Sequence, residues 1–134
     1  MTVERINPAG LARPSGFSHA IKAPAGQEDH VAGQIGMDRD GKVAAGGVVP
    51  QFEQALANLL TALAARGGQP SDLASLTIYL TDVEDYQAHG KDIGAVWRRL
   101  AGTEYPAMAG VGVTRLWRPE ALVEIQGIAM VSRS

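Results

Sequence analysis

The sequence predicts an α+β domain in which a mixed sheet carries two helices on one face. Two long stretches place apolar residues with the 3.6-residue period of an amphipathic helix. Five shorter stretches have the alternation or the short apolar runs typical of strands, bounded by glycine and proline turns. Along the chain these elements follow the order ββαβαββ.

The N-terminal part of the chain predicts an irregular arm followed by a pair of strands. Residues 1–16 contain two prolines and two glycines and are expected to be irregular. "FSHAIKA" (17–23) and "HVAGQIGMD" (30–38) are predicted strands, and because only "PAGQED" separates them we expect an antiparallel hairpin. Asp40-Gly41 then predicts a tight turn.

The middle of the chain predicts a helix and then a strand. "VPQFEQALANLLTALAARGG" (49–68) has one apolar helical face, with Pro50 in the first turn and Gly67-Gly68 at the end. In the following strand, "SDLASLTIYLTDV" (71–83), leucine and isoleucine alternate with serine, threonine and tyrosine.

The C-terminal part predicts a second helix and two strands. "EDYQAHGKDIGAVWRRL" (84–100) has an apolar stripe that includes Trp97, although its two glycines lower helix propensity. The strands are "PAMAGVGVTRL" (106–116) and "ALVEIQGIAMV" (121–131). In the last strand Glu124 lies on the face opposite the valines, away from the predicted helices.

Two features of this sheet point to a contact beyond the single chain. The face away from the helices mixes apolar and polar residues, which favours subunit association over the alternative of simple partial exposure. Gly110 and Gly112 clear one face of their strand beside Met108. This space could admit a ligand, a neighbouring chain, or side chains of the same sheet.

Composition excludes several classes of protein. The chain of 134 residues is long enough for one domain, residues 1–134. Its net charge is -2 and its basic residues are scattered, so no nucleic-acid partner is expected. It has no cysteine, which excludes disulfides and thiolate chemistry. Without a signal-like or membrane-spanning apolar run, it is expected to be cytoplasmic and not bound to a membrane.

Six segments together carry a resemblance to a known family: "GFSHAI", "AGQIGMDRDGKV", "QFEQALANLLTALAARGG", "LASLTIYLTDVEDY", "YPA" and "ALVEIQGIAMV". In this order they resemble the signature blocks of the RidA/YjgF family, whose members are also called reactive intermediate deaminases or L-PSP endoribonucleases. The resemblance covers Phe17 to Val131. It implies a chorismate-mutase-like fold, a homotrimer with small-molecule clefts between subunits, hydrolysis of enamines and imines to 2-oxo acids and ammonia, and no metal or organic cofactor.

The resemblance also implies which residues line the cleft: Phe17, Ser18, His19, Gly33, Gln34, Met108 and Glu124. Glu124 is the first acidic residue of the family's "VEIE" motif and is the implied catalytic group, whereas the second acid has become Gln126. The family arginine that clamps a substrate carboxylate after the "YPA" turn falls on Met108. Methionine offers an apolar surface and no hydrogen-bond donor, so a different ligand class is expected.

Several of these residues have a structural interpretation beside the functional one. Glu124 is either a general base or a carboxylate hydrogen-bonded across a subunit interface. His19 is either a proton shuttle or a structural residue. His30 follows two acidic residues, but neighbouring strand positions alternate between faces, so a solvated strand end is favoured over a metal site. Trp117 either caps a pocket or interface or is an exposed loop aromatic.

Three functions therefore remain open from the sequence. The first is a trimeric hydrolase of a C=N or related bond in a small, non-standard substrate, with Glu124 acting on water. The second is a ligand-binding or sensing trimer that lacks catalysis. The third, an endoribonuclease, has the least support because the chain is slightly acidic and shows no basic groove.

Overall fold

The computed structural model describes residues 3–131. Within this range the strands are β1 (Glu4–Ile6), β2 (Ala20–Lys22), β3 (Gln27–Ile35), β4 (Leu73–Leu80), β5 (Ala107–Gly112) and β6 (Val123–Val131). The helices are α1 (Val48–Ala64), α2 (Val83–Ala88) and α3 (Gly90–Ala101), and a 3₁₀ turn (Pro70–Asp72) precedes β4.

The central sheet has four strands in the order β3-β6-β4-β5. β6 is antiparallel to both of its neighbours, whereas β5 runs parallel to β4 along the sheet edge. The predicted mixed sheet of an α+β domain is therefore confirmed. Among the described residues, no helix is long and apolar enough to cross a membrane.

The predicted N-terminal hairpin is wrong. β2 pairs antiparallel with β1, a strand inside the arm that was predicted to be irregular, and β3 pairs with β6 instead. The pairing with β6 places Val31 opposite Gly127, where Val31 is buried. Neighbouring strands in the sequence pair often but not always, and here the burial offered by β6 outweighs the short connection.

The predicted second helix is divided into α2 and α3. The two helices meet at His89, which ends α2 and begins α3. Gly90 follows directly, and its low helix propensity accounts for the break at this point. The described part of the chain therefore contains three α-helices where two were predicted.

The helices cover one face of the sheet, as the alternation in β4 and β6 predicts. Phe52 and Leu56 of α1 and Trp97 of α3 are buried in one core with Ile78 and Ile125 of the sheet. A buried Gln51 side chain joins α1 to the start of β6, because it accepts from the Leu122 amide (2.8 Å) and donates to the Glu120 carbonyl (3.1 Å). The face that carries Tyr79, Glu124 and Gln126 is uncovered by helices, and we call it the open face.

Candidate functional site

The register of β5 determines on which side of the sheet Met108 lies. Met108 is paired with Leu76 and Gly110 with Ile78, and both β4 partners are buried beneath the helices. Met108 therefore lies on the helix-covered face and packs at the margin of the core. Glu124 is paired with Tyr79, on the open face. Within one protomer, the two residues that the resemblance placed in one cleft lie on opposite faces of the sheet.

A cleft of about 530 Å³ lies between the edge of β5 and helix α3, and we call it the β5–α3 cleft. Its walls are mostly apolar and aromatic, and they include Phe17, Ile93, Trp97 and Met108. A Cβ atom added to Gly110 would meet no other atom within 4 Å, so the missing side chain leaves open space. Size and lining are those of a small-molecule site.

The N-terminal segment brings Phe17 to this cleft through its neighbour Ser18. The Ser18 amide donates to the Pro106 carbonyl (3.0 Å), and its hydroxyl donates to the Tyr105 carbonyl (2.7 Å). Tyr105 in turn stacks on Trp97 at a centroid distance of 5.4 Å. Ser18 is buried and is not part of the cleft wall, so its contacts position Phe17.

His19 is held within the N-terminal arm. Its Nε2 donates to the Ala12 carbonyl (2.7 Å), and its amide donates to the Asn7 side chain (2.7 Å). The ring also meets Phe17 edge to face at 5.1 Å. In the single protomer these contacts match the structural interpretation of His19.

One face of α3 forms a wall of the cleft that the sequence analysis did not assign to the site. The lining positions are Gly90, Ile93, Gly94, Trp97 and Arg98, spaced as one helical stripe. The Arg98 guanidinium makes no hydrogen bond or ion pair with any residue in the range 3–131. The signal for this wall was present in the sequence, because two glycines and an arginine fall on the same helical face as Trp97.

The aromatic residue Tyr86 of α2 also lines the cleft. It meets Phe52 of α1 edge to face at 6.0 Å, and burial raises the pKa of Tyr86 to about 12. Its hydroxyl is therefore neutral at physiological pH. The described residues that line the cleft include neither a carboxylate nor a histidine, so the cleft has neither of these groups to act as a general base.

On the open face, the Glu124 carboxylate packs directly against Gly33. β3 has a bulge between Val31 and Gln34, and a Cβ atom added to Gly33 would lie 2.9 Å from Cδ of Glu124 and closer still to its Oε2. Within the described range the carboxylate has no hydrogen-bond partner. Beside it, the Tyr79 hydroxyl donates to the Gln126 side chain (3.3 Å).

The remaining residues named from the sequence do not line the β5–α3 cleft. Gln34 lies beside α1, and its side-chain amide donates to the Ala32 carbonyl (3.2 Å). His30 pairs with Glu28 at 2.6 Å, and Asp29 pairs with Arg66 at 3.2 Å. Trp117 is 90% exposed in the loop between β5 and β6.

Comparison with known proteins identifies the family. The family model described as Endoribonuclease L-PSP matches residues 10–131. This chain belongs to the RidA/YjgF family. This Rid protein is 34% identical over 114 residues to a RutC family protein of Pyrococcus horikoshii, covering 84% of this chain and 85% of the relative.

Two further comparisons extend over nearly the whole Rid chain. It is 30% identical over 134 residues to a 2-iminobutanoate/2-iminopropanoate deaminase of Dermatophagoides farinae, covering 98% of this chain and 99% of the relative. A crystal structure from Yersinia pestis, of a protein of unknown function in the conserved Rid family, has a TM-score of 0.85 and 33% identity. The match covers 98% of this chain and all of the other, and it confirms the predicted chorismate-mutase-like fold.

Proposed function

We propose that this Rid protein forms a homotrimer in which sites between protomers bind a small molecule and hydrolyse its C=N bond. The observation that carries the proposal is the placement of Met108 and Glu124 on opposite faces of one sheet. The β5–α3 cleft has surfaces that could bind a ligand but no carboxylate among its described residues. Glu124 provides a carboxylate, but it lies outside this cleft. A site that uses both needs the cleft of one protomer and the open face of another.

The proposed reaction uses Glu124 as the general base. The carboxylate accepts a proton from water as the water oxygen attacks the carbon of the C=N bond. The resulting carbinolamine then collapses to a carbonyl compound, and its nitrogen leaves as ammonia after taking up a proton. The deaminase of Dermatophagoides farinae, similar over the whole chain, supports this class of reaction. Met108 in the cleft supports a substrate different from one clamped by arginine at that position.

The assembly is tested by light scattering on the purified protein at micromolar concentration. The expected mass is three times the chain mass of 14.1 kDa. Trimer formation would cover the open face, where Val111 is 39% exposed. A monomeric mass would contradict the proposal.

The reaction is tested with imines generated in place by an amino-acid oxidase, following the semicarbazide-trappable imine over time. Wild-type protein is expected to shorten the lifetime of at least one imine. Glu124→Gln should lower the rate by about a hundredfold or more, with the trimer mass unchanged. Glu28→Gln is the matched control, because it removes another open-face carboxylate that is paired with His30. Full activity in Glu124→Gln, or no acceleration of any imine, would contradict the proposal.

A second function is favoured by the composition of the cleft. Its described lining has no carboxylate or histidine and carries Met108 where the family clamp is expected. Such a cleft suits a trimer that binds a ligand without turnover. Binding without imine hydrolysis would support this alternative. Endoribonuclease activity has the least support, because acidic residues (14) outnumber basic ones (12).

A further inference from the structure

Arg98 is the one charged residue among the described residues that line the β5–α3 cleft. Its guanidinium has no partner within residues 3–131. The adjacent Arg99, on another face of α3, is instead paired with Glu53 at 2.8 Å. Arg98 is exposed to solvent, and no carboxylate is among the described residues that line the cleft, so Arg98 is the source of positive charge beside these apolar walls.

Glycine positions leave the guanidinium and the cleft interior free. A Cβ atom added to Gly94 would lie 3.4 Å from Nη1 of Arg98, an ordinary contact distance, so the guanidinium lies over this glycine. Cβ atoms added to Gly90 and Gly110 would meet nothing within 4 Å. Glycine lowers the stability of a helix or strand, so these positions leave open space in the cleft at some cost to the stability of α3 and β5.

The walls next to this charge are flat and apolar. Trp97 is buried and stacks on Tyr105 with an interplanar angle of 19°, and the half-buried side chains of Tyr105, Phe17 and Met108 line the cleft. An aromatic ring can pack against such surfaces, and the polarizable sulfur of methionine favours ring contacts. A volume of about 530 Å³ accommodates a ring together with a short acidic chain.

From these observations we infer that Arg98 supplies, from helix α3, the positive charge that Met108 does not, and that the cleft binds carboxylates with an aromatic or large apolar side chain. The inference rests on the ligand-binding role proposed above for the cleft. Arginine can hold a carboxylate through two parallel hydrogen bonds. For a hydrolase, the corresponding substrates are imino acids with aromatic or large apolar side chains.

Titration calorimetry with the purified protein tests the inference without turnover. The probes are 3-phenylpropanoate, its uncharged amide, and propanoate, which lacks the ring. Wild-type protein is expected to bind 3-phenylpropanoate at least about tenfold more tightly than either of the other two. Arg98→Gln should weaken binding of 3-phenylpropanoate about tenfold or more and leave the amide unchanged. Arg98→Lys should restore part of the loss, because the charge is kept.

The matched control is Arg99→Gln, which removes the same charge from the neighbouring position outside the cleft. It should change the affinity for 3-phenylpropanoate less than about twofold. Wild-type affinity in Arg98→Gln would overturn the role of Arg98. Equal affinities for the three probes, or no binding of 3-phenylpropanoate, would overturn the ligand class.

The two proposals fail separately. If 3-phenylpropanoate binds through Arg98 but no imine is hydrolysed, this inference stands and the hydrolase proposal fails. If small imines are hydrolysed while 3-phenylpropanoate does not bind, the hydrolase proposal stands and this inference is overturned.

Discussion

Gly33 shows how a single residue controls the position of the proposed base. The glycine lies directly beneath the Glu124 carboxylate, and its φ angle is not positive. Glycine is therefore required here because a side chain would have no room, and not because of the backbone conformation. A neighbouring glycine, Gly36, is also crowded, but its contact is the backbone of Gln51. A substitution at Gly33 therefore displaces a mobile side chain, whereas a substitution at Gly36 disturbs the fold.

Gly33→Ala is expected to lower turnover with little loss of stability. The added methyl group displaces only the flexible end of Glu124, so the free energy of unfolding should change by less than about 1 kcal/mol. The displaced carboxylate should reduce the rate of imine hydrolysis about tenfold or more. Gly36→Ala should instead destabilise the protein by about 1–3 kcal/mol, because a Cβ atom there would lie 2.6 Å from Cα of Gln51. Urea unfolding and imine assays measure both, and full turnover in Gly33→Ala would contradict the role given to this contact.

Some single-residue assignments could be made from the sequence and others could not. The alternation in the last strand predicted that Glu124 faces away from the helices, and the structure confirms it. The sequence alone did not point to Arg98, because the periodic signal in α3 is the apolar stripe in which Trp97 is buried. The position of Arg98 beside that stripe indicates a binding site only when the edge of β5 is known to leave a cleft there.

At the scale of elements, Tyr86 couples α2 to α1. It packs against Phe52, and burial raises its pKa to about 12 from the ordinary value of 10.0. In the unfolded chain the tyrosine loses its proton at lower pH than in the folded protein. The contribution of neutral Tyr86 to stability is therefore complete below pH 10 and is lost as the pH rises from 10 to 12.

Tyr86→Phe should remove this pH dependence. Between pH 10 and pH 12, the free energy of unfolding of the wild type should fall by about 1–2 kcal/mol more than that of the variant. Below pH 10 the difference between the two proteins should be constant. Urea titrations at several pH values on both sides of pH 10 provide the measurement. Parallel pH profiles for the two proteins would show that the Tyr86 hydroxyl is not buried as described.

The types of the long elements were predictable, but their partners and breaks were less so. The apolar period of α1 and the alternation of β4 and β6 reflect burial against a single core, which leaves a local pattern. The pairing of β3 with β6 depends on residues distant in the sequence, so the local turn suggested the wrong hairpin. Similarly, the apolar stripe of the predicted second helix continues across His89, although the backbone divides there into α2 and α3.

At the scale of the whole molecule, the proposed site depends on assembly. No periodicity in one chain reveals that Met108 and Glu124 lie on opposite faces, because the register of β5 against β4 is set by long-range pairing. Once that register is known, a site that combines them has to be shared between protomers. The family resemblance implied clefts between subunits, and the single-chain geometry gives an independent reason to expect them.

Complementation between two inactive variants tests this sharing. Glu124→Gln removes the base and keeps the cleft, whereas Gly110→Leu fills the cleft and keeps the base, because the new side chain enters open space. Each variant alone should form a trimer with little activity. In a trimer that mixes them, one site pairs an intact cleft with an intact Glu124 of the neighbour.

Coexpression of the two variants in equal amounts should restore about a quarter of the wild-type activity, since about three quarters of the trimers are mixed and each has one intact site of three. The matched control is coexpression of Glu124→Gln with the double variant Glu124→Gln/Gly110→Leu, which contains no intact base and should stay inactive. If each site were built within one protomer, every site in the first mixture would carry one defect and activity would not return. The recovered rate of imine hydrolysis therefore shows whether the carboxylate on the open face acts on a ligand held in the cleft of the adjacent protomer.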